Sequence, residues 1–398
     1  MQKEKLVPEI RFKGFEEDYI GNKTIDVLNI ERGASPRPIN NYLTKSGINW
    51  VKISDAPADG YYITQTEDKI IPDGIKFSKQ VFPGDLILSN SMSFGRPYIM
   101  GITGCIHDGW LKISDRNNKF DSVYLCTLLG TEQMIKKYKS LAAGSTVSNL
   151  SKELVGSTHI LYPVFDEQQK IGQFFSNLDS LIRSQELKLK KINEVKQSLL
   201  NKMFASENQK FPEIRFSGYN TEWNLKTLEQ IAEITFGQSP LSIYYTDKKT
   251  DHILVQGNAD VKNRWVYPRI YTSQITKRAF TGDIIFSVRA PVGSVARSNY
   301  DIVIGRGIAA IKGDDFIYFN LLWKEISQFW KSKSSGSTFD SIASSELDKS
   351  EISVPSDLSE QQRIGAFFSS LDSLIRSQEL KLEKLNNIKQ ALLEKMFC

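Results

Sequence analysis

Two stretches of the chain, 193 positions apart, have nearly the same sequence. Residues 167–204 align without a gap on residues 360–397, and about three-quarters of the 38 positions are identical. A shorter repeat opens each half of the chain, as PEIRFKGF at Pro8 and PEIRFSGY at Pro212. Between these copies lie two segments of about 140 residues that hardly resemble one another. A duplicated frame around divergent contents indicates one scaffold that holds two variable domains.

Both long copies carry the pattern of an α-helix. Neither contains proline, and about 38 residues at ~1.5 Å each would form a rod of roughly 60 Å. Each copy begins with a capping-box pattern, Asp166 with Gln169 in the first and Ser359 with Gln362 in the second. The sequence therefore predicts two long helices that begin at these caps.

Apolar residues in each copy alternate at steps of four and three, which is the spacing of a coiled-coil seam. A glutamine and a lysine fill the same two seam positions in both copies: Gln185 and Lys196, then Gln378 and Lys389. We therefore expect the two helices to pack on each other. The predicted seam includes Ile171, Phe175, Leu178, Ile182, Gln185 and Leu189 in the first copy and Ile364, Phe368, Leu371, Ile375, Gln378 and Leu382 in the second.

The direction of the helix pair is predicted from the chain between the helices. Each helix follows one divergent segment, and a whole second segment separates the two helices. An antiparallel pair places the segments at opposite ends, related by a pseudo-two-fold axis, whereas a parallel pair would crowd both at one end. We therefore predict an antiparallel coiled coil. A general dimerisation coiled coil would explain the seam but not the duplicated sequence.

A second apolar stripe runs beside the seam on each helix. Two stripes are more than a two-stranded coil needs. This flank either completes the core of the adjacent domain or docks helices of a partner. Its members are Phe174, Leu181, Val195, Phe367, Leu374 and Ile388.

The divergent segments have the pattern of mixed α/β domains with many short strands. VFPGDLIL at 81–88 resembles AFTGDIIF at 279–286, and the Gly-Asp pair of each fits a tight turn that enters a buried strand. The predicted fold class is α+β, with two mixed α/β domains separated by two long helices. The predicted boundaries are 1–165 and 206–358 for the domains, and 166–205 and 359–398 for the helices.

Two further parallels link the segments. GASP at 33–36 resembles GQSP at 237–240, early in each segment. A Gly-Ser-Thr element lies late in each, at 144–146 and at 336–338. These glycines either form structural turns or belong to a functional surface. The parallels predict that the two segments share one fold while their surfaces differ.

The composition is that of an ordinary globular protein. Hydrophobic residues make up 40% of the chain and charged residues 24%. No apolar run approaches the ~20 residues of a membrane-spanning helix, and no signal-peptide core follows Met1. The three cysteines leave one unpaired and lack metal-ligand spacing, which predicts a protein of the reduced cytoplasm.

The net charge of +5 is mild, but the cations are clustered. Eight lysines and arginines lie between Lys262 and Arg306, against only Asp283 and Asp301. A smaller basic run ends at Lys52. Clustered arginine is typical of a phosphate-binding surface. The alternative is a solvated face whose counter-charges come from elsewhere in the fold.

These motifs resemble the specificity subunits of Type I restriction-modification systems. The resemblance rests on the PEIRF openings at Pro8 and Pro212, the Gly-Ser-Thr elements, and the EQQ-[KR]-IG-x-FF-S-x-LDSLI helices at Glu167 and Glu360. It covers the whole chain in the family's order, in which each target-recognition domain is followed by a spacer helix.

The resemblance implies DNA recognition without chemistry. Each recognition domain would read one half of a bipartite double-stranded DNA sequence, and the paired helices would set the unread gap. Two methyltransferase subunits would bind S-adenosylmethionine, and two restriction subunits would use ATP and Mg²⁺. No cofactor, metal or membrane contact is expected of this chain itself.

The sequence lacks the motifs of catalysis. It has no Asn-Pro-Pro-aromatic or Asp-Pro-Pro-Tyr element, no phosphate-binding loop, and no nucleophile–base arrangement around His107, His159 or His252. A methyltransferase or a nuclease is therefore disfavoured, and the leading hypothesis is a non-catalytic recognition subunit. The alternative from another class is a coiled-coil adaptor that binds the methyltransferase without recognising DNA.

The candidate DNA contacts are chosen by side-chain chemistry. Arginine can bind guanine bidentately, whereas lysine more often neutralises phosphate. In the second domain Arg264, Arg289 and Arg306 are predicted to contact DNA. Supporting contacts in that domain are Lys277, Arg278 and Gln238. The candidates in the first domain are Arg37, Lys45, Lys52 and Arg96.

If the helices act as a ruler, their length sets the gap between the half-sites. Adding or removing about one helical turn within 187–196 is expected to change the preferred gap and to leave both half-sites intact. Methylome sequencing of cells that carry the chain with its methyltransferase partner measures both quantities. A change in the half-sites themselves would contradict the ruler.

Overall fold

The computed structural model describes residues 7–57, 60–90, 95–115, 117–142, 150–206, 208–333 and 341–397. The chain divides into two compact units: Met1–Leu187 with Leu380–Cys398 (unit 1), and Lys188–Glu379 (unit 2). The Gly-Ser-Thr elements at 144–146 and 336–338 and residue Cys398 lie outside the described residues.

Unit 1 is a mixed α/β domain. Its helices are α1 (Thr24–Val27), α2 (Ser122–Leu129), α3 (Glu132–Ala142), α4 (Lys152–Ser157), the first part of α5 (Phe165–Met203) and the last part of α10 (Leu358–Lys395). Its strands are β1 (Ile20–Lys23), β2 (Leu28–Arg32), β3 (Leu43–Thr44), β4 (Ile48–Val51), β5 (Tyr62–Ile63), β6 (Asp68–Ile70), β7 (Lys79–Val81), β8 (Leu86–Ser89), β9 (Pro97–Met100), β10 (Gly104–Ile106), β11 (Trp110–Asp115) and β12 (His159–Tyr162).

Unit 2 repeats this plan. Its helices are the last part of α5, then α6 (Leu228–Ile231), α7 (Asp315–Ile326), α8 (Phe329–Lys333), α9 (Ser344–Asp348) and the first part of α10 (Leu358–Lys395). Its strands are β13 (Asn224–Thr227), β14 (Glu233–Phe236), β15 (Tyr245–Thr246), β16 (His252–Val255), β17 (Val261–Lys262), β18 (Trp265–Val266), β19 (Ile270–Thr272), β20 (Arg278–Ala279), β21 (Ile284–Ser287), β22 (Val295–Arg297), β23 (Ile302–Ile304), β24 (Ile308–Lys312) and β25 (Glu351–Val354).

The sheets of the two units have matching strand orders. Unit 1 contains the sheets β1-β12, β3-β6-β4-β10-β7 and β2-β11-β8-β9-β5. Unit 2 contains β13-β25, β15-β19-β16-β23-β20 and β14-β24-β21-β22-β18-β17. In both units one strand pair is parallel within an otherwise antiparallel five-stranded sheet, β4 with β10 and β16 with β23. Two divergent sequences thus form one fold, which confirms the predicted fold class of two mixed α/β domains with two long helices.

The predicted Gly-Asp turns are present in both units. Gly84 has a φ of 92° and Gly282 a φ of 98°, a conformation that glycine adopts without strain. The following aspartate closes each turn: Asp85 Oδ2 accepts from the Phe82 N–H at 2.8 Å, and an equivalent bond of 2.7 Å is made by Asp283. Each turn leads into a buried strand, β8 or β21.

The capping-box prediction for the long helices is wrong. Helix α10 begins at Leu358, and its cap is Asp357, whose Oδ1 accepts from the Ser359 N–H at 2.8 Å. Helix α5 begins at Phe165, so Asp166 lies inside its first turn. Both helices therefore begin at least one residue before the predicted caps, because the residues just upstream satisfy the first free N–H groups.

The repeated glycine near the start of each long helix allows a close approach. A Cβ on Gly172 would lie 2.6 Å from Asp121 Oδ1, the carboxylate that caps α2. A Cβ on Gly365 would lie 2.7 Å from Cβ of Asp315, at the first residue of α7. The long helix and a domain helix therefore meet at the same place in both units.

In unit 1, the PEIRF segment joins the start of α5 to the end of α10. The Arg11 guanidinium donates to both carboxylate oxygens of Glu167 at 2.9 Å, and Glu167 is fully buried. The Ile10 N–H donates to the Lys395 carbonyl at 3.0 Å. The Phe12 ring packs edge-on against Phe174, with centroids 5.9 Å apart.

In unit 2, the second PEIRF segment makes the same three contacts. Arg215 donates to both oxygens of the fully buried Glu360, at 2.6 and 2.7 Å. The Ile214 N–H donates to the Lys202 carbonyl at 2.8 Å, and the ring of Phe216 packs edge-on against Phe367. Each PEIRF segment therefore binds the first turn of one long helix and the last turn of the other.

These contacts show that the two helices run antiparallel within each unit. The seam lysines confirm the direction: Lys389 pairs with Asp179 in unit 1, at 2.5 Å, and Lys196 pairs with Asp372 in unit 2. Each lysine near the end of one helix thus meets the aspartate of the LDSLI motif near the start of the other. The polar seam position is satisfied by an ion pair that fixes the register.

The last residues of each repeat complete a domain core. Phe397 packs against Tyr124 and Phe175 in unit 1. Phe204 packs against Trp323 and Phe368 in unit 2. Burying one such ring contributes about 1.5–3 kcal/mol. The end of each long helix is therefore part of a hydrophobic core and not a free tail.

The predicted seam residues are at least partly buried. Ile171, Phe175, Ile182, Gln185, Ile364, Phe368 and Ile375 are buried, and Leu178, Leu189, Leu371, Gln378 and Leu382 are intermediate. The residues of the predicted flank differ in their environment. Its two phenylalanines pack against the PEIRF segments, whereas Leu181, Val195, Leu374 and Ile388 are 40–49% exposed.

Removing the arginine of a PEIRF segment should destabilise its unit strongly. We expect Arg215→Ala to lower the free energy of unfolding by about 3–5 kcal/mol, because it leaves the Glu360 carboxylate buried without its partner. The control Lys210→Ala breaks the exposed pair with Glu222 and should cost less than about 1 kcal/mol. Urea denaturation followed by circular dichroism measures both. Equal losses in the two variants would contradict this role for Arg215.

Candidate nucleic-acid interface

The predicted DNA contacts of unit 2 centre on the turn between β23 and β24, which consists of Gly305, Arg306 and Gly307. Its backbone is anchored on three sides. The Gly305 N–H donates to the Val255 carbonyl at 2.8 Å, and the Gly307 carbonyl accepts from Val288 at 3.0 Å. The Arg306 N–H donates to Ser239 Oγ at 3.2 Å. The anchored backbone leaves the exposed Arg306 side chain at the tip.

The GQSP segment lies directly against this turn. The Gly237 N–H donates to the Ile308 carbonyl at 2.9 Å, and the Gln238 N–H donates to the Ile304 carbonyl at 3.0 Å. A Cβ on Gly237 would clash with the carbonyl oxygen of Gly305, so only glycine fits. The similarity of GASP and GQSP therefore reflects a packing constraint, while Gln238 itself is exposed beside Arg306.

Two further predicted cations lie next to the same turn. Arg289 is exposed after β21, and its Cδ would lie 3.9 Å from a Cβ on Gly307. Lys277 is exposed before β20, and its carbonyl accepts from the Ile304 N–H at 2.9 Å. Within the described residues, no acidic side chain pairs with Lys277, Arg289 or Arg306. The fold thus brings four predicted residues that are distant in sequence to one surface.

The other two predicted residues of unit 2 are bound to acidic partners. The Arg264 guanidinium pairs with Glu325 and also donates to the Val295 carbonyl at 3.0 Å. Arg278 lies 3.9 Å from Asp301 and over the ring of Phe280. Arg264 therefore ties the loop before β18 to helix α7, and its charge is largely neutralised.

Unit 1 has an equivalent turn between β10 and β11, formed by His107, Asp108 and Gly109. The His107 N–H donates to the Val51 carbonyl at 3.4 Å, and the Asn90 N–H donates to the Gly109 carbonyl at 2.9 Å. A Cβ on Gly33 would clash with the carbonyl oxygen of His107. The turn is thus held as in unit 2, but an aspartate occupies the tip in place of arginine.

Asp108 was not predicted from the sequence, and it organises this surface. Its Oδ1 accepts from Ser35 Oγ at 2.7 Å, and its Oδ2 accepts from the Arg37 guanidinium at 3.1 Å. The Ser35 hydrogen bond, with smaller contributions from His107 and Arg37, lowers the pKa of Asp108. The predicted contact Arg37 is highly exposed and forms part of this pair.

The remaining predictions in unit 1 differ in environment. Lys52 pairs with Glu67 at 3.0 Å and with Asp68 at 2.8 Å, and these hydrogen bonds raise its pKa. The Arg96 guanidinium lies over the Tyr98 ring at 5.1 Å. Lys45 is exposed on the turn between β3 and β4. Among these three, Lys45 is the most accessible cation, and Lys52 is already neutralised.

Within the described ranges, no His, Cys, Asp and Glu side chains are grouped so that they could hold a metal ion. The helices of these ranges include none with the length and apolar character needed to cross a membrane.

Comparison with known proteins decides the family. The model of the Type I restriction modification DNA specificity domain matches twice, at residues 22–197 and 220–387. Each match contains one variable segment followed by most of a long helix. The chain belongs to this family. It is a specificity subunit of a Type I restriction-modification system, with two target-recognition domains, and such subunits recognise DNA without a catalytic site of their own.

Individual relatives agree with this assignment. The "Putative type I restriction enzyme MjaX specificity subunit" of Methanocaldococcus jannaschii is 27% identical over 294 residues, which cover 71% of this chain and 69% of that protein. The HsdS subunit from Thermoanaerobacter tengcongensis has a similar fold, with a TM-score of 0.51, 22% identity and coverage of 95% and 96%. The S subunit from M. genitalium reaches a TM-score of 0.61 at 13% identity, with coverage of 98% and 99%.

The specificity subunit should no longer recognise one half-site when the cations of unit 2 are removed. We expect Arg289→Ala with Arg306→Ala to weaken binding of the subunit–methyltransferase complex to its target by about 5- to 100-fold, because arginine pairs with base edges. Electrophoretic mobility shifts with the target and with each half-site scrambled measure this. Lys312→Ala, which removes a cation paired with Glu233, is the control and should change little. An equal loss on unrelated DNA would assign both arginines to phosphate contacts.

Proposed function

We propose that each unit of the specificity subunit reads one half of a bipartite double-stranded DNA sequence, and that α5 and α10 set the unread gap. The support is the pair of equivalent turns at β10–β11 and β23–β24. Both turns have the same backbone anchors, yet they carry different exposed side chains. A frame that is constant in the backbone and variable at the tip is suited to reading two different sequences.

The chemistry at the unit 2 turn fits a major-groove edge. Arg306 and Arg289 supply planar donor groups for guanine O6 and N7, and Gln238 supplies an amide that can bind adenine N6 and N7. Lys277 at the border of this surface suits a phosphate oxygen, which positions the protein without reading sequence. Arg264, Arg278 and Lys52 are less suited, since their charges already have acidic partners.

The proposed assembly contains two methyltransferase subunits and, for restriction, two restriction subunits in the cytoplasm. S-adenosylmethionine, ATP and Mg²⁺ would be bound by those partners and not by this chain. The exposed apolar side chains of the flank are candidates for the methyltransferase contact, because burying apolar surface that is 40–49% exposed would contribute to binding. They are Leu181 and Ile388 in unit 1 and Val195 and Leu374 in unit 2.

Methylome sequencing tests this proposal directly. Cells that express the chain with its methyltransferase partner should show one bipartite methylated motif with a fixed gap, and cells with either protein alone should show none. Co-purification of the two proteins provides the control for assembly. A stable complex that leaves the DNA unmodified would favour the adaptor and overturn the proposed DNA reading.

A further inference from the structure

The turns at β10–β11 and β23–β24 can be aligned residue by residue from their backbone hydrogen bonds. The N–H of Gly33 donates to the Trp110 carbonyl at 2.8 Å, as the N–H of Gly237 does to the Ile308 carbonyl at 2.9 Å. The N–H of Asn90 donates to the Gly109 carbonyl, as the N–H of Val288 does to the Gly307 carbonyl. The aligned hydroxyls meet the tip residues in both units: Ser35 Oγ contacts Asp108, and Ser239 Oγ contacts Arg306. Asp108 and Arg306 therefore occupy the same place in the fold.

The two tips offer opposite hydrogen-bonding chemistry. The Arg306 guanidinium is a donor only. The Asp108 carboxylate, when ionised, is an acceptor only, with lone pairs beyond those that Ser35 and Arg37 occupy. Its side chain is 41% exposed, and its pKa is lowered, so it remains ionised at neutral pH. A buried carboxylate could not reach a base, and a protonated one would also be a donor.

We propose that Asp108 is a specificity-determining residue that accepts a hydrogen bond from the exocyclic amino group of a base in the major groove. This inference rests on the proposed function of the two units. Cytosine N4 and adenine N6 are the two amino groups that the major groove presents, and both are donors. Guanine and thymine present acceptors at the corresponding positions, so a carboxylate repels them.

The charge of Asp108 makes this role distinguishable from general DNA binding. A carboxylate near the phosphate backbone weakens binding to every sequence, because it repels the phosphates. It improves binding only where a base donates to it. Arg37 reduces the repulsion, since its guanidinium lies 3.1 Å from Asp108 Oδ2 and is highly exposed. In this proposal Arg37 provides a counter-charge and positions Asp108, whereas the sequence pattern predicted that Arg37 contacts DNA itself.

The test uses the full chain in complex with its methyltransferase partner. Asp108→Ala removes the acceptor, and Asp108→Asn keeps the shape and one acceptor oxygen while removing the charge. Glu132→Ala is the matched control, because Glu132 is an exposed carboxylate of unit 1 that pairs with Lys136 of its own helix. Methylome sequencing gives the base preference at each position of the motif, and mobility shifts give affinity for target and scrambled DNA.

The expected result is a loss of base preference at one position of one half-site. Asp108→Ala should reduce discrimination there by about 5- to 100-fold and increase affinity for scrambled DNA, and Asp108→Asn should do the same more weakly. The position should belong to the half-site that the Arg289 and Arg306 variants leave intact. The preferred base of the wild-type protein at that position, cytosine or adenine, identifies the amino group.

Three results would overturn the inference. The first is an unchanged motif in both Asp108 variants, which would leave Asp108 with the role of binding and positioning Arg37 alone. The second is a loss of preference in the same half-site as the Arg306 variant. The third is a wild-type complex without any bipartite motif, which would also overturn the proposed function. In the first two results the wild-type motif persists, so the two failures are distinguishable.

Discussion

The buried ion pair between a PEIRF arginine and the first glutamate of a long helix is the contact on which each unit depends. Arg11 with Glu167, and Arg215 with Glu360, connect an extended segment to a helix more than 140 residues away in sequence. Both carboxylates are fully buried, so neither can lose its partner without a large cost. The same PEIRF segment also binds the last turn of the other helix, which joins three distant parts of the chain at one point.

That junction explains why the duplicated residues are alike and the remaining residues differ. Glu167 and Glu360 need an arginine, Gly172 and Gly365 need room for a domain helix, and Asp179 and Asp372 pair with seam lysines. The arginines and lysines that pair with these acids are themselves repeated, so neither copy can change alone at those positions, whereas the two glycines meet α2 and α7 of the divergent segments. At the turn tips, backbone hydrogen bonds of the flanking residues hold the turn, and this leaves the side chains at positions 108 and 306 open to change.

Much of the architecture could be predicted from periodicity and repetition. The seam spacing gave the helix pair, and the matching lysines hinted at a fixed register, because polar residues at seam positions need partners. The helix starts could not be placed to the residue, since Asp357 and Ser359 are both cap-forming residue types and only the structure shows that Asp357 caps α10. Asp108 was not predicted, because it lies outside the clustered cations and its partners Ser35 and Arg37 are more than 70 positions away in sequence. The recurrence of GASP as GQSP was the available signal, since both segments anchor the turn.

A cluster of cations in the sequence contains more positive side chains than remain available to a ligand after folding. Of the eight cations between Lys262 and Arg306, four have acidic partners within unit 2: Arg264 with Glu325, Arg269 with Asp260, Arg278 with Asp301, and Arg297 with Asp315. Of these four acids, only Asp301 lies within the 262–306 stretch, so the fold supplies the other partners from outside it. The cations that keep an open side chain next to the β23–β24 turn are Lys277, Arg289 and Arg306. Folding therefore narrows the candidate DNA contacts in this cluster. Within the described residues it gives Arg264 and Arg278 acidic partners and leaves Lys277, Arg289 and Arg306 without one, beside a turn whose backbone is anchored to three other segments.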